Sequence, residues 1–105
     1  MTQKYWGGII IGDNVTLSTG ALLVSAGYDL TKFITNEREH FEPKGIFIED
    51  HNWICARAVI LPGVRSTGHH VVVAAGSVVT KSIEESNVIV AGVPARVVKR
   101  LSCEL

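Results

Sequence analysis

The stretch Ile48-Glu-Asp-His-Asn-Trp-Ile54-Cys-Ala-Arg-Ala-Val-Ile60-Leu-Pro-Gly-Val-Arg65 repeats every six residues, with isoleucine at each first position. The same period extends upstream through Ile11-Gly-Asp-Asn-Val-Thr, Leu17-Ser-Thr-Gly-Ala-Leu and Leu23-Val-Ser-Ala-Gly-Tyr. Downstream, one extra residue is assigned to Ser66. Thr67-Gly-His-His-Val-Val and Val73-Ala-Ala-Gly-Ser-Val follow it, and Val79 opens a last turn. The first position is aliphatic except at Thr67. The fifth is small or β-branched (Val15, Ala21, Gly27, Ala58, Val64, Val71, Ser77), with Asn52 as the exception.

A register of six held over several units is a solenoid signal. An amphipathic helix needs a period near 3.6, which these segments do not sustain, and plain alternation of antiparallel strands does not explain the register. Short strands joined by tight corners do explain it. The leading aliphatic points inward, and Gly, Asp or Asn near each corner tolerates unusual backbone angles. Three hexapeptides make one triangular coil, and coils stack at about 4.8 Å, the spacing of paired strands. The expected fold is an all-β parallel β-helix of roughly three coils forming a single domain over residues 1–105, with Tyr5 to Ile10 in an earlier turn.

Two segments stand outside the repeat. Residues 29–45 are polar and carry Arg38, His40 and Lys44 with nearby acids. They interrupt the helix after a complete coil, which predicts a projecting loop. Loops of this length in compact proteins are either functional or plain surface excursions. Past Pro94, Val97 and Leu101 lie four apart, which predicts a short helix capping the end over residues 94–105.

Composition limits the function classes. Of the 105 residues 47% are hydrophobic but only 7% aromatic, so the core is built from Val, Ile, Leu and Ala. Ten basic residues balance ten acidic ones, so no overall field draws the chain to nucleic acid or anionic lipid. Cys55 and Cys103 form neither a disulfide framework nor a metal-ligand spacing. No stretch has the form of a signal peptide or a membrane span. A soluble, cytoplasmic protein is expected.

Four stretches carry a resemblance: Ile-Gly-Asp-Asn-Val-Thr-Leu-Ser-Thr-Gly-Ala (11–21), Asn-Trp-Ile-Cys-Ala-Arg-Ala-Val-Ile-Leu-Pro-Gly-Val (52–64), Val-Ala-Ala-Gly-Ser-Val-Val-Thr-Lys (73–81) and Val-Ala-Gly-Val-Pro-Ala-Arg-Val-Val-Lys (90–99). In this order they resemble the hexapeptide-repeat acetyltransferases, including those that modify maltose, galactosides and polysaccharide precursors. The resemblance implies a left-handed β-helix and a homotrimer. It also implies an acetyl-CoA groove along the stacked coils between subunits, and transfer of an acetyl group to a sugar hydroxyl or, secondarily, an amine.

Carried over by position, Ala56, Ala58, Ala75, Gly76 and Ser77 would line the pantetheine path. Thr80, Lys81, Arg96 and Lys99 would sit toward the nucleotide, where cations meet phosphates; otherwise they form a solvated rim. Trp53 would line a substrate pocket or pack at the subunit seam.

The reaction needs a base to take the acceptor's proton. Sugar acetyltransferases of this kind carry it as His-Asp just after the strand that here reads Leu23-Val-Ser-Ala-Gly; this chain has Tyr28-Asp29. Neutral tyrosine, with a reference pKa of about 10, is a weak base. His40, in the excursion that follows, is the proposed catalytic residue, with Tyr28 and Asp29 at the acceptor. An exposed loop histidine is the alternative. His51 lies at a corner, as do His69 and His70, which as neighbours should point apart. That spacing does not match the three-histidine zinc site of β-helix carbonic anhydrases, so no metal is expected. The competing reading is a non-catalytic trimeric scaffold or a degenerate subunit. The resemblance also leaves open whether the chain is part of a longer protein.

Overall fold

The computed structural model describes residues 8–28, 30–35 and 41–102. Three parallel sheets form the faces of a triangular prism. The first stacks β1 (Ile9–Ile11), β6 (Ile46–Ile48) and β9 (Arg65–Ser66), and Ile83 bridges to Ser66 in the next layer. The second stacks β2 (Thr16–Leu17), β7 (Trp53–Ile54), β10 (Val71–Val73) and β12 (Val88–Gly92). The third stacks β3 (Leu22–Leu23), β8 (Val59–Ile60) and β11 (Val78–Val79).

The strand register aligns the first positions of successive hexapeptides: Ile11 with Ile48 and Ser66, Leu17 with Ile54 and Val73, Leu23 with Ile60 and Val79. Each of these columns runs up the prism interior. Fifth-position Ala58, Val64 and Val71 are buried beside them. Ile9, Ile11 and Leu17 point into the same interior yet remain 41%, 41% and 45% exposed, because among the described residues no coil lies beyond the first.

Ser66 is not the extra residue. It pairs with Ile48 and is buried at 2%, so it holds the leading position, while Thr67 is exposed. The added residue falls in the corner after it, where Gly68 makes room: a Cβ there would stand 2.2 Å from the Glu85 carbonyl oxygen. A hydroxyl is accepted inside because the other exception, Asn52, meets it. Asn52 Nδ2 donates to Ser66 Oγ at 3.0 Å, and its Oδ1 accepts the Val71 N–H at 2.9 Å. The two breaks in the pattern satisfy each other, as buried polar groups must.

The corners are ladders of left-handed residues. Between the first and second faces stand Asn14, His51, His70 and Asn87, with φ of 57°, 58°, 54° and 57°. Between the second and third stand Gly20, Arg57 and Gly76, with φ of 75°, 59° and 71°. At the third corner the first coil opens into the excursion. Its base is a strand pair rather than a plain loop: β4 (Ala26–Tyr28) runs antiparallel to β5 (Phe41–Pro43), and α1 (Leu30–Ile34) follows β4.

Among the described residues the expected C-terminal segment forms no helix. Residues Ala95–Arg100 form β13, which turns back at Gly92 (φ 106°) and pairs antiparallel with β12. A helix of two turns is marginal alone, whereas a strand satisfies the open edge of β12. The register sets Val97 against Val90, so the apolar spacing serves strand packing.

Candidate functional site

The corner between the second and third faces forms a ledge of small residues, built from the turns 18–21, 55–58 and 74–77. Each turn closes on itself: Ala21 N–H to Ser18 O at 3.1 Å, Ala58 N–H to Cys55 O at 3.2 Å, and Ser77 N–H to Ala74 O at 3.2 Å. The turns bond to one another through Arg57 N–H to Thr19 O at 3.1 Å and Gly76 N–H to Ala56 O at 3.0 Å. This ladder fixes the ledge backbone.

Ala56 is half-buried, while Ala75 and Gly76 are exposed. A Cβ at Gly76 would meet nothing within 4 Å, so the ledge is open there. Ala58 and Ser77 do not line it with their side chains. Both are buried, and Ser77 Oγ accepts the Gly92 N–H at 3.2 Å. As fifth-position residues they shape the ledge from inside.

Apolar rows flank the ledge. On the second face Trp53 lies beside Val72, and Val72 beside Ile89; on the third, Leu22, Val59 and Val78 align. Trp53 is 49% exposed, and its Nε1 donates to Ser18 Oγ at 2.9 Å, which ties the indole to the lower end of the ledge.

The structure divides the expected cations. Lys81 and Arg96 line one cavity of about 390 Å³, floored by Val79, Ile83 and Val90. Thr80 is exposed next to Lys81. Lys99 stands elsewhere, opposite Ile89 at the upper edge of the second face. On the rim of the Lys81 and Arg96 cavity, Glu85 is already held by Arg100 through two hydrogen bonds.

Tyr28 closes β4, its backbone paired with Phe41. Asp29 and His40 lie outside the described residues. The described histidines gather at the other edge of the second face. The His51 and His70 rings stack with centroids 4.8 Å apart and planes 6° from parallel. His69 and His70 do not point apart: their Nδ1 atoms are 2.9 Å from each other. Among the described residues no group of three or more His, Cys, Asp or Glu side chains is placed to hold a metal ion. Cys55 is half-buried at the start of its turn, and burial pushes its thiol pKa up, away from a nucleophile's range.

Arg57 escaped the sequence reading. Its signal was positional: it occupies the slot that glycine fills one coil below and one coil above.

Parallel faces, a six-residue register and corner ladders of left-handed residues define a parallel β-helix of hexapeptide repeats. No family model matches the chain. Over 94 residues it is 36% identical to the galactoside O-acetyltransferase of Escherichia coli K12, a match spanning 90% of the chain and 45% of that protein. It is 37% identical over 94 residues to a Staphylococcus aureus 2,3,4,5-tetrahydropyridine-2,6-dicarboxylate N-acetyltransferase, spanning 87% of the chain and 33% of that protein. Among solved structures, a hexapeptide-repeat acetyltransferase from Vibrio cholerae, complexed with acetyl coenzyme A, superposes with a TM-score of 0.78 at 34% identity. That match covers 90% of the chain and 50% of the other. The homologues of this chain are thus hexapeptide-repeat acetyltransferases, and it carries their β-helix. It spans between a third and a half of the length of these relatives.

Proposed function

We propose that the chain is an acetyl-CoA-dependent acetyltransferase acting on a hydroxyl, or secondarily an amine, of a sugar or polysaccharide precursor, and that it works as a homotrimer. The observation that carries this reading is the ledge. It presents half-buried Ala56 and exposed Ala75 and Gly76 on a rigid backbone, and Lys81 and Arg96 line one cavity at the top of the stack. A narrow amide-bearing thiol ester can lie along small residues, and two cations suit the phosphates at its far end.

The acceptor site is assigned to Tyr28, Asp29 and Trp53, with His40 as base. Pairing of β4 with β5 supports the assignment, since it sets Phe41, the neighbour of His40, opposite Tyr28. In this reading His40 takes the hydroxyl proton as the oxygen attacks the thioester carbonyl, and the tetrahedral intermediate then expels the CoA thiolate.

The test is release of free CoA from acetyl-CoA across a panel of sugars and nucleotide sugars, with wild type and His40→Ala. Acceptor-dependent release that drops by orders of magnitude in His40→Ala, with CoA binding unchanged, is the expected result. No release with any acceptor and no binding of acetyl-CoA would leave the scaffold reading in its place.

A further inference from the structure

The lower end of the ledge holds a charged group that the acetyl-transfer reading does not use. Gly20, Arg57 and Gly76 share one slot in successive turns, and only the middle one carries a side chain. That side chain is laid down the ledge toward the first coil: its Cγ stands 3.2 Å from where a Cβ at Gly20 would be. Glycine below is what leaves the path open. The backbone beneath Arg57 is pinned by its bond to Thr19 O and by Gly76 N–H on Ala56 O. Its guanidinium makes no hydrogen bond or ion pair among the described residues, and the residue is exposed.

Trp53 leans to the same place. Its indole is tied to Ser18, two residues before Gly20, and half of its surface is open. The indole N–H and the stem of the Arg57 side chain therefore both reach down to the turn at 18–21, on the coil from which the excursion leaves. An aromatic face takes a sugar or heterocyclic ring, and a guanidinium takes a carboxylate or phosphate in two parallel hydrogen bonds. The cations suited to CoA phosphates, Lys81 and Arg96, lie two coils away at the top of the stack.

We propose that Trp53 and Arg57 form an acceptor subsite selective for an anionic sugar, one bearing a phosphate or a carboxylate. The proposal rests on the acetyltransferase reading only for the word acceptor; the binding it predicts stands without turnover. Arg57 is a specificity residue and takes no part in bond making.

The experiment is equilibrium binding of galactose 6-phosphate, galacturonate and galactose to the full chain, with acetyl-CoA binding measured in parallel. Wild type is compared with Arg57→Gly, Arg57→Lys and Trp53→Ala. Arg57→Gly is the informative variant, because glycine accepts the left-handed φ at no steric cost and the fold is retained. Expected are a preference for the anionic sugars over galactose, loss of that preference by about tenfold in Arg57→Gly, partial rescue in Arg57→Lys, and unchanged acetyl-CoA affinity in all three. Trp53→Ala should weaken all sugars together. Binding of the anionic sugars without acetyl transfer would uphold the subsite and refute the enzyme reading. Equal affinity of wild type and Arg57→Gly for the anionic sugars, or no sugar binding, would overturn the proposal. A loss in Arg57→Gly confined to acetyl-CoA would overturn it too, by assigning the guanidinium to a CoA phosphate.

Discussion

Ser66→Ile separates the repeat pattern from the structure. By pattern, isoleucine is the better residue, since Ile48 holds the same column one coil below and the substitution completes an aliphatic register. By structure it should destabilise. Ser66 Oγ is the acceptor for Asn52 Nδ2, and both residues are buried, at 2% and 1% exposure. Isoleucine removes that acceptor and leaves an amide N–H unpaired in the core, which costs about 1–3 kcal/mol. The extra side-chain volume adds strain in a packed interior. Some apolar burial is gained, of order 1.5–3 kcal/mol for a full side chain, but the narrow column cannot collect all of it. A net loss of about 2 kcal/mol is expected. Asn52→Ala should cost somewhat more, roughly 3 kcal/mol, because it orphans the Val71 N–H and opens a small void as well. Combining Asn52→Ala with Ser66→Ala should cost less than the sum, with a coupling of about 1 kcal/mol. Urea unfolding followed by tryptophan fluorescence, at one fixed protein concentration, reads these as midpoint shifts of roughly 1–2 M for the larger losses. Ser66→Ile at or above wild-type stability would refute the argument that the Asn52 and Ser66 pair holds this coil.

Other outcomes follow from the same geometry. Gly68→Ala drives a Cβ into the Glu85 carbonyl and should lower the melting temperature by at least ten degrees, whereas Gly76→Ala meets open space and should lose only about 1–2 kcal/mol for its left-handed backbone; similar losses at the two sites would contradict the corner geometry. If the ledge carries pantetheine, Gly76→Ala should nonetheless raise the Michaelis constant for acetyl-CoA, read by initial rates. Lys81→Ala and Arg96→Ala should each raise it about tenfold and lose that effect with CoA lacking its 3′-phosphate, while Lys99→Ala, set apart on the second face, should change it little. In a Cys103→Ser background, thiol labelling of Cys55 should be slow at neutral pH. Because burial raises its pKa, thiolate accumulates only at higher pH, so the rate should keep climbing where an ordinary thiol, near 8.5, levels off; a plateau at that pH would count against it.

The prism was legible because a six-residue register is a long-range fact written locally: Ile48, Ile54 and Ile60 must each face inward, and only coil stacking lets them. The misreadings have a common cause. Placing the extra residue at Ser66 assumed that a buried first position is apolar, but the hydroxyl's partner, Asn52, lies fourteen residues back. Neither exception explains itself alone. Ala58 and Ser77, carried over by position to the pantetheine path, bury their side chains because the fifth position faces inward, which leaves their backbone to face the ledge. The four-residue spacing of Val97 and Leu101 predicts a helix, but the open edge of β12, which spacing alone does not show, draws the segment into a strand. Strand alternation predicts that His69 and His70 point apart, but His70 sits in the left-handed slot, and the two rings approach to 2.9 Å between Nδ1 atoms.

The identity of the base and the nature of the acceptor atom are one question. A hydroxyl must lose its proton as it attacks, so O-acetylation without a base near Tyr28 is slow. An amine needs only to arrive unprotonated, and its proton can leave after the new bond has formed. Replacing the usual histidine by Tyr28 therefore weakens O-transfer much more than N-transfer, unless another group supplies the base. With His40 in that role and a sugar hydroxyl as acceptor, kcat/KM should fall as the pH drops through the range where histidine takes a proton, near neutrality, and His40→Ala should abolish that limb. With an amine acceptor the limb should follow the amine's own ionisation, shift when amines of different basicity are compared, and persist in His40→Ala. A pH profile that tracks the acceptor and ignores His40 would remove the histidine from the mechanism and make this chain an N-acetyltransferase.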